Sequence, residues 1–205
     1  MSKRVFSNLF FALFASLVLS ANTASSRVIV KERTAYYKIS GKTGKQLNIA
    51  MIKRGPRQTK LSHAIASTES KMQIKNISLG VRGRKCVILS ADVILNLKYT
   101  LPKWQMPKAT SSELKAGWQK FYGLLVKHEK RHGAISMDAA RSVEKELKRL
   151  KGNVTKKCED FGKNAKRRFA RVGRTLAIRQ RNFDRREGSG FSAITRSQKK
   201  LHKLR

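Results

Sequence analysis

Apolar positions along this chain switch between alternation and helical spacing, and each switch marks a new element. Val28, Ile29, Val30, Tyr36 and Tyr37 predict a first strand, or a pair of strands, over 27–37, and Gly41 breaks it. Thr43 to Gln46 reads T-x-x-Q, a capping box that satisfies orphan backbone N–H groups of a first helical turn. It opens a short helix through Leu47, Ile49, Ala50 and Met51, which Gly55-Pro56 ends. From 63 to 99 the pattern is largely strand-like. Met72, Ile74, Ile77 and Leu79 alternate imperfectly. Val81, Val87, Leu89, Val93, Leu95 and Leu97 follow around a turn at 80–85. These residues predict a small antiparallel sheet, and 102–112 reads as a linker.

Beyond it the period becomes helical. Thr110 to Glu113 spells T-x-x-E, a second capping box. Leu114, Trp118, Phe121, Leu125, Ile135, Ala139, Val143, Leu147 and Leu150 then recur at steps of three and four, so one long helix is expected from Ser111 to about Lys151. Gly133 is a candidate kink. Gly152-Asn153 is expected to turn the chain into a second long helix carrying Val154, Cys158, Phe161, Ala165, Phe169, Val172, Leu176 and Phe183. Gly188-Ser189-Gly190 ends it, and residues 191–205 read as a mobile basic tail. The fold class is therefore α+β: a small antiparallel sheet with a short N-terminal helix, followed by two long C-terminal helices.

The N-terminus reads as a secretory signal, covering 1–24. Lys3 and Arg4 precede an apolar stretch over 5–19, and small residues follow, with cleavage after Ser20 or Ala24. The stretch is shorter than the ~20 residues a bilayer span needs; the alternative is an uncleaved anchor. No second apolar run approaches membrane length, so a protein soluble after export to the periplasm or the exterior is expected. Cys86 and Cys158 are the only cysteines, and an even count in an oxidising compartment suggests one disulfide; two buried free thiols are the alternative.

The net charge of +35, from 47 basic and 12 acidic residues, predicts attraction to polyanions such as anionic envelope polymers or a lipid surface. Nucleic acid is the weaker expectation. The basic segments lack interleaved aromatics and any known binding motif, and the chain carries an export signal.

The candidate chemistry lies mid-helix, at His128-Glu129-Lys130-Arg131-His132. Histidines four apart project from adjacent turns of one helix face, close enough for both imidazoles to grip one metal ion. The helical count places them on the apolar side, with Lys127, Lys130 and Arg131 mainly outward. Glu129 stands where it can take a proton from a metal-bound water, as in metal-dependent peptidases with the H-E-x-x-H pattern. Two satisfied core histidines are the competing reading.

Other residues match in order along nearly the whole exported chain: Tyr36-Tyr37, Gly41, Thr43, Leu47, Gly55-Pro56, Thr68, Cys86, Leu101-Pro102, Trp104, Trp118, His128-Glu129, His132, Cys158 and Phe183-Asp184. Together they resemble a bacterial family of predicted secreted zinc-dependent proteases, the domain of unknown function 922. The resemblance implies a zincin-like α+β domain over 25–190, a Zn²⁺ cofactor and a peptide or protein substrate. It implies His128 and His132 as ligands and Glu129 as general base.

One departure bears on the site. The family's pattern after the aromatic-Asp pair ends in Thr, one residue, His and Gly. This chain has Asp184-Arg185-Arg186-Glu187-Gly188-Ser189-Gly190, with Ser189 in the histidine's place. A hydroxyl is a poor zinc ligand beside imidazole or carboxylate. Glu187 or Asp184 is therefore the expected third metal ligand, with Glu159, Asp160, His63 and His202 as further candidates. Glu144 and Glu146 continue the histidine helix and cannot easily fold back onto it. A degenerate site, in a protein that only binds envelope polymers or partner proteins, is the alternative function.

Overall fold

Strand β3 (Lys85–Trp104) is the spine of the sheet in the computed structural model, which describes residues 25–57, 64–153, 158–188, 190 and 192–205. On one side lies β1 (Ser25–Ile39), on the other β2 (Ser67–Arg82), and a short β4 (Lys151–Asn153) pairs with residues 85–87. The fold is α+β, as the pattern predicts, but the sheet is mixed rather than antiparallel. β2 and β4 run antiparallel to β3, whereas β1 runs parallel to it, with Val28 beside Val93. Alternation specifies a buried face and carries no information about direction. Here the chain leaves β1, forms helix α1 (Gly44–Arg54) and β2, and only then inserts β3 between the first two strands. That excursion is the long connection a parallel pair requires.

The imperfect alternation has a local cause. Asn76 adopts a left-handed conformation (φ 53°), and the β2–β3 register shifts there, between Lys75 and Ser78. An added residue reverses the side-chain parity, so Met72 and Ile74 precede the irregularity and Leu79 follows it. β3 reverses likewise: Cys86 and Ile88 are buried, then Ala91, Val93, Leu95, Leu97 and Tyr99. Asp92 braces the bulge, accepting from Asn76 Nδ2 at 2.7 Å and from Arg27 Nε at 2.7 Å. The expected linker begins later than the sequence suggests, since β3 continues through Pro102 to Trp104. β2 pairing ends opposite Thr100, so Pro102 has a strand neighbour on one side only, where a missing N–H is tolerated.

Helix α2 (Ser112–Arg149) packs along the sheet. Its N-cap is Ser111, whose hydroxyl accepts from Leu114 N, not Thr110, whose hydroxyl donates to Pro107 O. The helix is unbroken at Gly133. That glycine instead permits close approach to the sheet: a Cβ there would lie 2.2 Å from the Tyr99 hydroxyl oxygen. At its end, Gly152 and Asn153 extend into β4 rather than forming a simple turn. α3 (Glu159–Glu187) then runs back along α2, and a Cys86–Cys158 disulfide ties its start to β3.

Of the expected tail over 191–205, the described residues 192–205 are not free. α4 (Ala193–His202) packs on α1 and α2, with Leu201 buried and Gly44 N donating to Leu204 O at 2.8 Å. Ile194 and Leu201 on its apolar face, with Leu204 just past its end, complete a core with Leu47, Met51, Trp104, Trp118 and Phe121. The second core lies between β3, α2 and α3 around Val93, Leu95, Ala140, Val143 and Leu147. Among the described residues no helix is long and apolar enough to cross a membrane. The expected signal segment 1–24 lies outside the described residues, as do His63, Val154 and Ser189.

Candidate metal centre

One line of α2 faces the sheet: Phe121, Leu125, Glu129, Gly133, Ser136, Ala140, Val143 and Leu147 are all buried. The histidines do not lie on that line but on the one beside it. A helix turns about 100° per residue, so His128 and His132, each one residue earlier than a sheet-facing position, are aimed at α3 instead. They are half-buried, and Glu129 between them is the buried member of the motif.

The sheet side holds Glu129. Thr68 on β2 donates its hydroxyl to Glu129 Oε2 at 2.6 Å. Burial pushes the Glu129 carboxyl above its ordinary pKa; the Thr68 hydrogen bond and His132 oppose the rise, and Asp184 adds to it. The neighbouring turn is clamped by the other strands. Lys130 pairs with Glu32 of β1 at 2.6 Å and lies 4.2 Å from the ring centre of Tyr99 on β3.

The α3 side holds the imidazoles. Gln180, Phe183, Asp184 and Glu187 are spaced 3, 4 and 7 residues from the first, hence on one face of α3. The Phe183 ring is wedged against both histidines, with centroids 4.8 Å from His128 and 4.9 Å from His132. His132 Nε2 lies 3.1 Å from His128 Nε2 and 2.8 Å from Asp184 Oδ1, and His128 Nε2 is 3.7 Å from the same oxygen. Gln180 Oε1 is 2.6 Å from His132 Nδ1, while its Nε2 donates to His132 O and Ser136 Oγ, each at 3.1 Å. With the amide so oriented, His132 carries a proton on Nδ1 and turns Nε2 toward Asp184. His128 Nδ1 is buried without a hydrogen-bond partner among the described residues. Burial lowers the His128 pKa, as does His132, against smaller opposing effects of Asp184 and Glu187.

Three electron-rich atoms this close repel unless a proton or a cation lies among them. Tetrahedral zinc with bonds near 2.0–2.1 Å sets its ligand atoms about 3.3 Å apart, and the separations of 2.8, 3.1 and 3.7 Å bracket that edge. Among the described residues, His128, His132 and Asp184 are the group able to hold a metal ion, all donor atoms falling within 4.8 Å of one another. Glu129 is outside this donor set, and so is Glu187, one turn beyond Asp184. His202 is exposed on α4, and Glu144 and Glu146 instead bind Lys148 and Arg168.

Gln180 and the hydroxyl role of Thr68 are the contributions that motif reasoning does not supply. Gln180 left a trace in the sequence: it is a polar residue on the apolar stripe of α3, between Leu176 and Phe183. Thr68 lies far from the motif, and only the strand register brings it to Glu129.

No curated protein and no solved structure matches this chain. A family model described as "Bacterial protein of unknown function (DUF922)" matches residues 34–190, from within β1 to just past α3, spanning all the residues of the site but not α4. That description assigns no activity. By the extent of this match, the chain belongs to the DUF922 family of bacterial proteins.

Proposed function

We propose that this protein is a zinc-dependent peptidase acting in the periplasm or outside a bacterial cell. The observation that carries the reading is the convergence of His128 Nε2, His132 Nε2 and Asp184 Oδ1, with a buried carboxyl, Glu129, one residue from the first ligand. Those three side chains would hold the ion, Asp184 serving where the family's pattern has a histidine further on. A bound zinc ion supplies Lewis-acid chemistry, polarising a carbonyl and making water more acidic.

The protein's own residues do the rest. Glu129 accepts the proton of the attacking water and delivers it to the leaving amine. Its burial suits this role, because a raised carboxyl pKa holds a proton more tightly near neutrality. Thr68 keeps the carboxylate aimed, and Gln180 and Phe183 keep the imidazoles from rotating. The half-exposed Asp184 leaves the solvent side open for substrate. β2 is an edge strand among the described residues, and its free side offers a backbone for a substrate strand to pair with. Export is supported by the apolar leader over 5–19 and by the Cys86–Cys158 disulfide.

Metal analysis tests the reading. The purified protein should hold about one zinc per chain, and His128→Ala should lose it. Glu129→Gln should keep the metal and lose peptide cleavage. A wild-type protein that binds no zinc in the micromolar range, or cleaves unchanged as Glu129→Gln, would refute it.

One observation favours a second reading, a binding module for anionic envelope polymers. Lys163, Lys166, Arg171 and Arg174 on α3 have no ion pair among the described residues. Polymer binding that falls steeply with salt, in a protein with no metal, would support it.

A further inference from the structure

We propose that the apolar cleft between β2 and α3 is an anchoring subsite for a large apolar side chain of an acidic, extended polypeptide. Met72 and Ile74 of β2 form one bank, Phe169, Val172 and Leu176 of α3 the other, and Val143 of α2 lies between them, around about 290 Å³. α3 packs on α2 and leaves the edge of β2 uncovered among the described residues, so the cleft runs beside unpaired backbone groups. That juxtaposition selects the occupant. A strand laid along β2 satisfies those groups, and alternate side chains of such a strand point to one face, into the cleft. The volume suits one or two side chains, not a larger ligand.

Position and charge narrow the class. Ala139, on the same wall of α2, is two helical turns past His132, hence about 10 Å along the axis. An extended chain covers that in about three residues. Lys71 and Lys75 on β2 and Arg171 and Arg174 on α3 have no ion pair among the described residues, so acidic neighbours of the apolar residue are favoured. The inference rests on the peptidase reading for the identity of the polypeptide as substrate, but the cleft itself does not depend on the metal.

Gly173 provides the test. It lines the cleft, and a Cβ built on it meets nothing within 4 Å, so Gly173→Leu starts a side chain at the cleft from an unobstructed position and suits a helix better than glycine. Gly162→Leu on the same helix, equally unobstructed, is the control. The probes are fluorescent Ala/Glu decapeptides with one Leu or Phe walked along them, measured by anisotropy on Glu129→Gln protein. One register should bind about ten-fold tighter than the parent peptide. Gly173→Leu should abolish that gain, Gly162→Leu should keep it, and backbone N-methylation at alternate residues should weaken it. Register-independent binding, or a gain that survives Gly173→Leu, would overturn the proposal, as would a fluorescent fatty acid occupying the cleft without competition from the peptides. Register-dependent binding by a protein that takes up no zinc would uphold the cleft and sink the peptidase. Zinc-dependent cleavage without apolar preference would do the reverse.

Discussion

Gln180 Oε1 accepts from His132 Nδ1 at 2.6 Å while the same amide donates to the backbone carbonyl of His132 at 3.1 Å. One side chain on α3 thus fixes both the tautomer and the ring angle of an imidazole on α2. Such outer partners of metal ligands typically contribute 10–100-fold in affinity. Gln180→Leu should weaken zinc binding by about that factor, read by competition with a chromophoric chelator. Gln180→Glu, which can still accept from Nδ1, should bind within a few-fold of wild type. Equal losses in both variants would reduce Gln180 to a packing residue.

The Thr68 hydroxyl acts on the other half of the motif. Its hydrogen bond to Glu129 Oε2 favours the ionised carboxyl and offsets part of the rise caused by burial. Without it, in Thr68→Val, the Glu129 pKa should climb further. A general base must be ionised, so the acid limb of the kcat/KM profile should move to higher pH. Activity on that limb should fall about ten-fold, roughly the worth of one hydrogen bond to a charged group, with little change on the alkaline limb. The stability sign follows from the same shift. Because the folded pKa is raised, the contribution of this carboxyl in metal-free protein is complete below its unfolded value near 4.5 and is lost as pH rises through its folded value. Thr68→Val should therefore lower Tm more at about pH 8 than at about pH 4.

The element types and the motif were legible in the chain because both depend on local periodicity. The two caps at Thr43 and Gly55 read correctly for the same reason, each using only neighbours in sequence. Strand direction was not legible: the β1–β3 pairing joins residues such as Ser25 and Ser90, and nothing in an alternating stretch states which way its partner runs. Spacing placed His128 and His132 on one face. It did not reveal that Glu129, not the histidines, faces the sheet, since a buried carboxyl is explained only by a donor such as Thr68. Asp184 was one of two equally plausible carboxylates until α3 fixed the angle that brings it, and not Glu187, to the imidazoles.

The disulfide secures α3 at the end remote from the site. Cys158 precedes the helix and Asp184 lies 26 residues later, a separation of about 39 Å along an ideal helix. Near Asp184, α3 is held to α2 by Gln180, Phe183 and the Arg179–Asp138 ion pair. A Cys86→Ser/Cys158→Ser protein should lose about 2–5 kcal/mol of stability in denaturant unfolding. Below its new transition it should still bind zinc with near wild-type affinity. Metal affinity lost in proportion to stability would mean that the bridge positions the ligands.

α4 sets the opposite expectation for the C-terminus. A dispensable tail could be removed without cost, but Leu201 is 1% exposed and its backbone carbonyl approaches Gly44 so closely that a Cβ there would lie 1.6 Å away. Gly117 on α2 is similarly close to Leu204, 2.4 Å from an added Cβ to the leucine Cδ1. Glycines on two helices therefore make room for a third. Leu201→Ala opens a cavity beside Leu47 and Leu114 and should cost about 2–5 kcal/mol. Gly44→Ala should destabilise as well, because the clash is with backbone that cannot rotate away. Truncation after Gly190 should expose the core around Trp118 and lower Tm substantially, while leaving His128, His132 and Asp184 in place. A truncated protein with unchanged Tm would show that this core closes without α4.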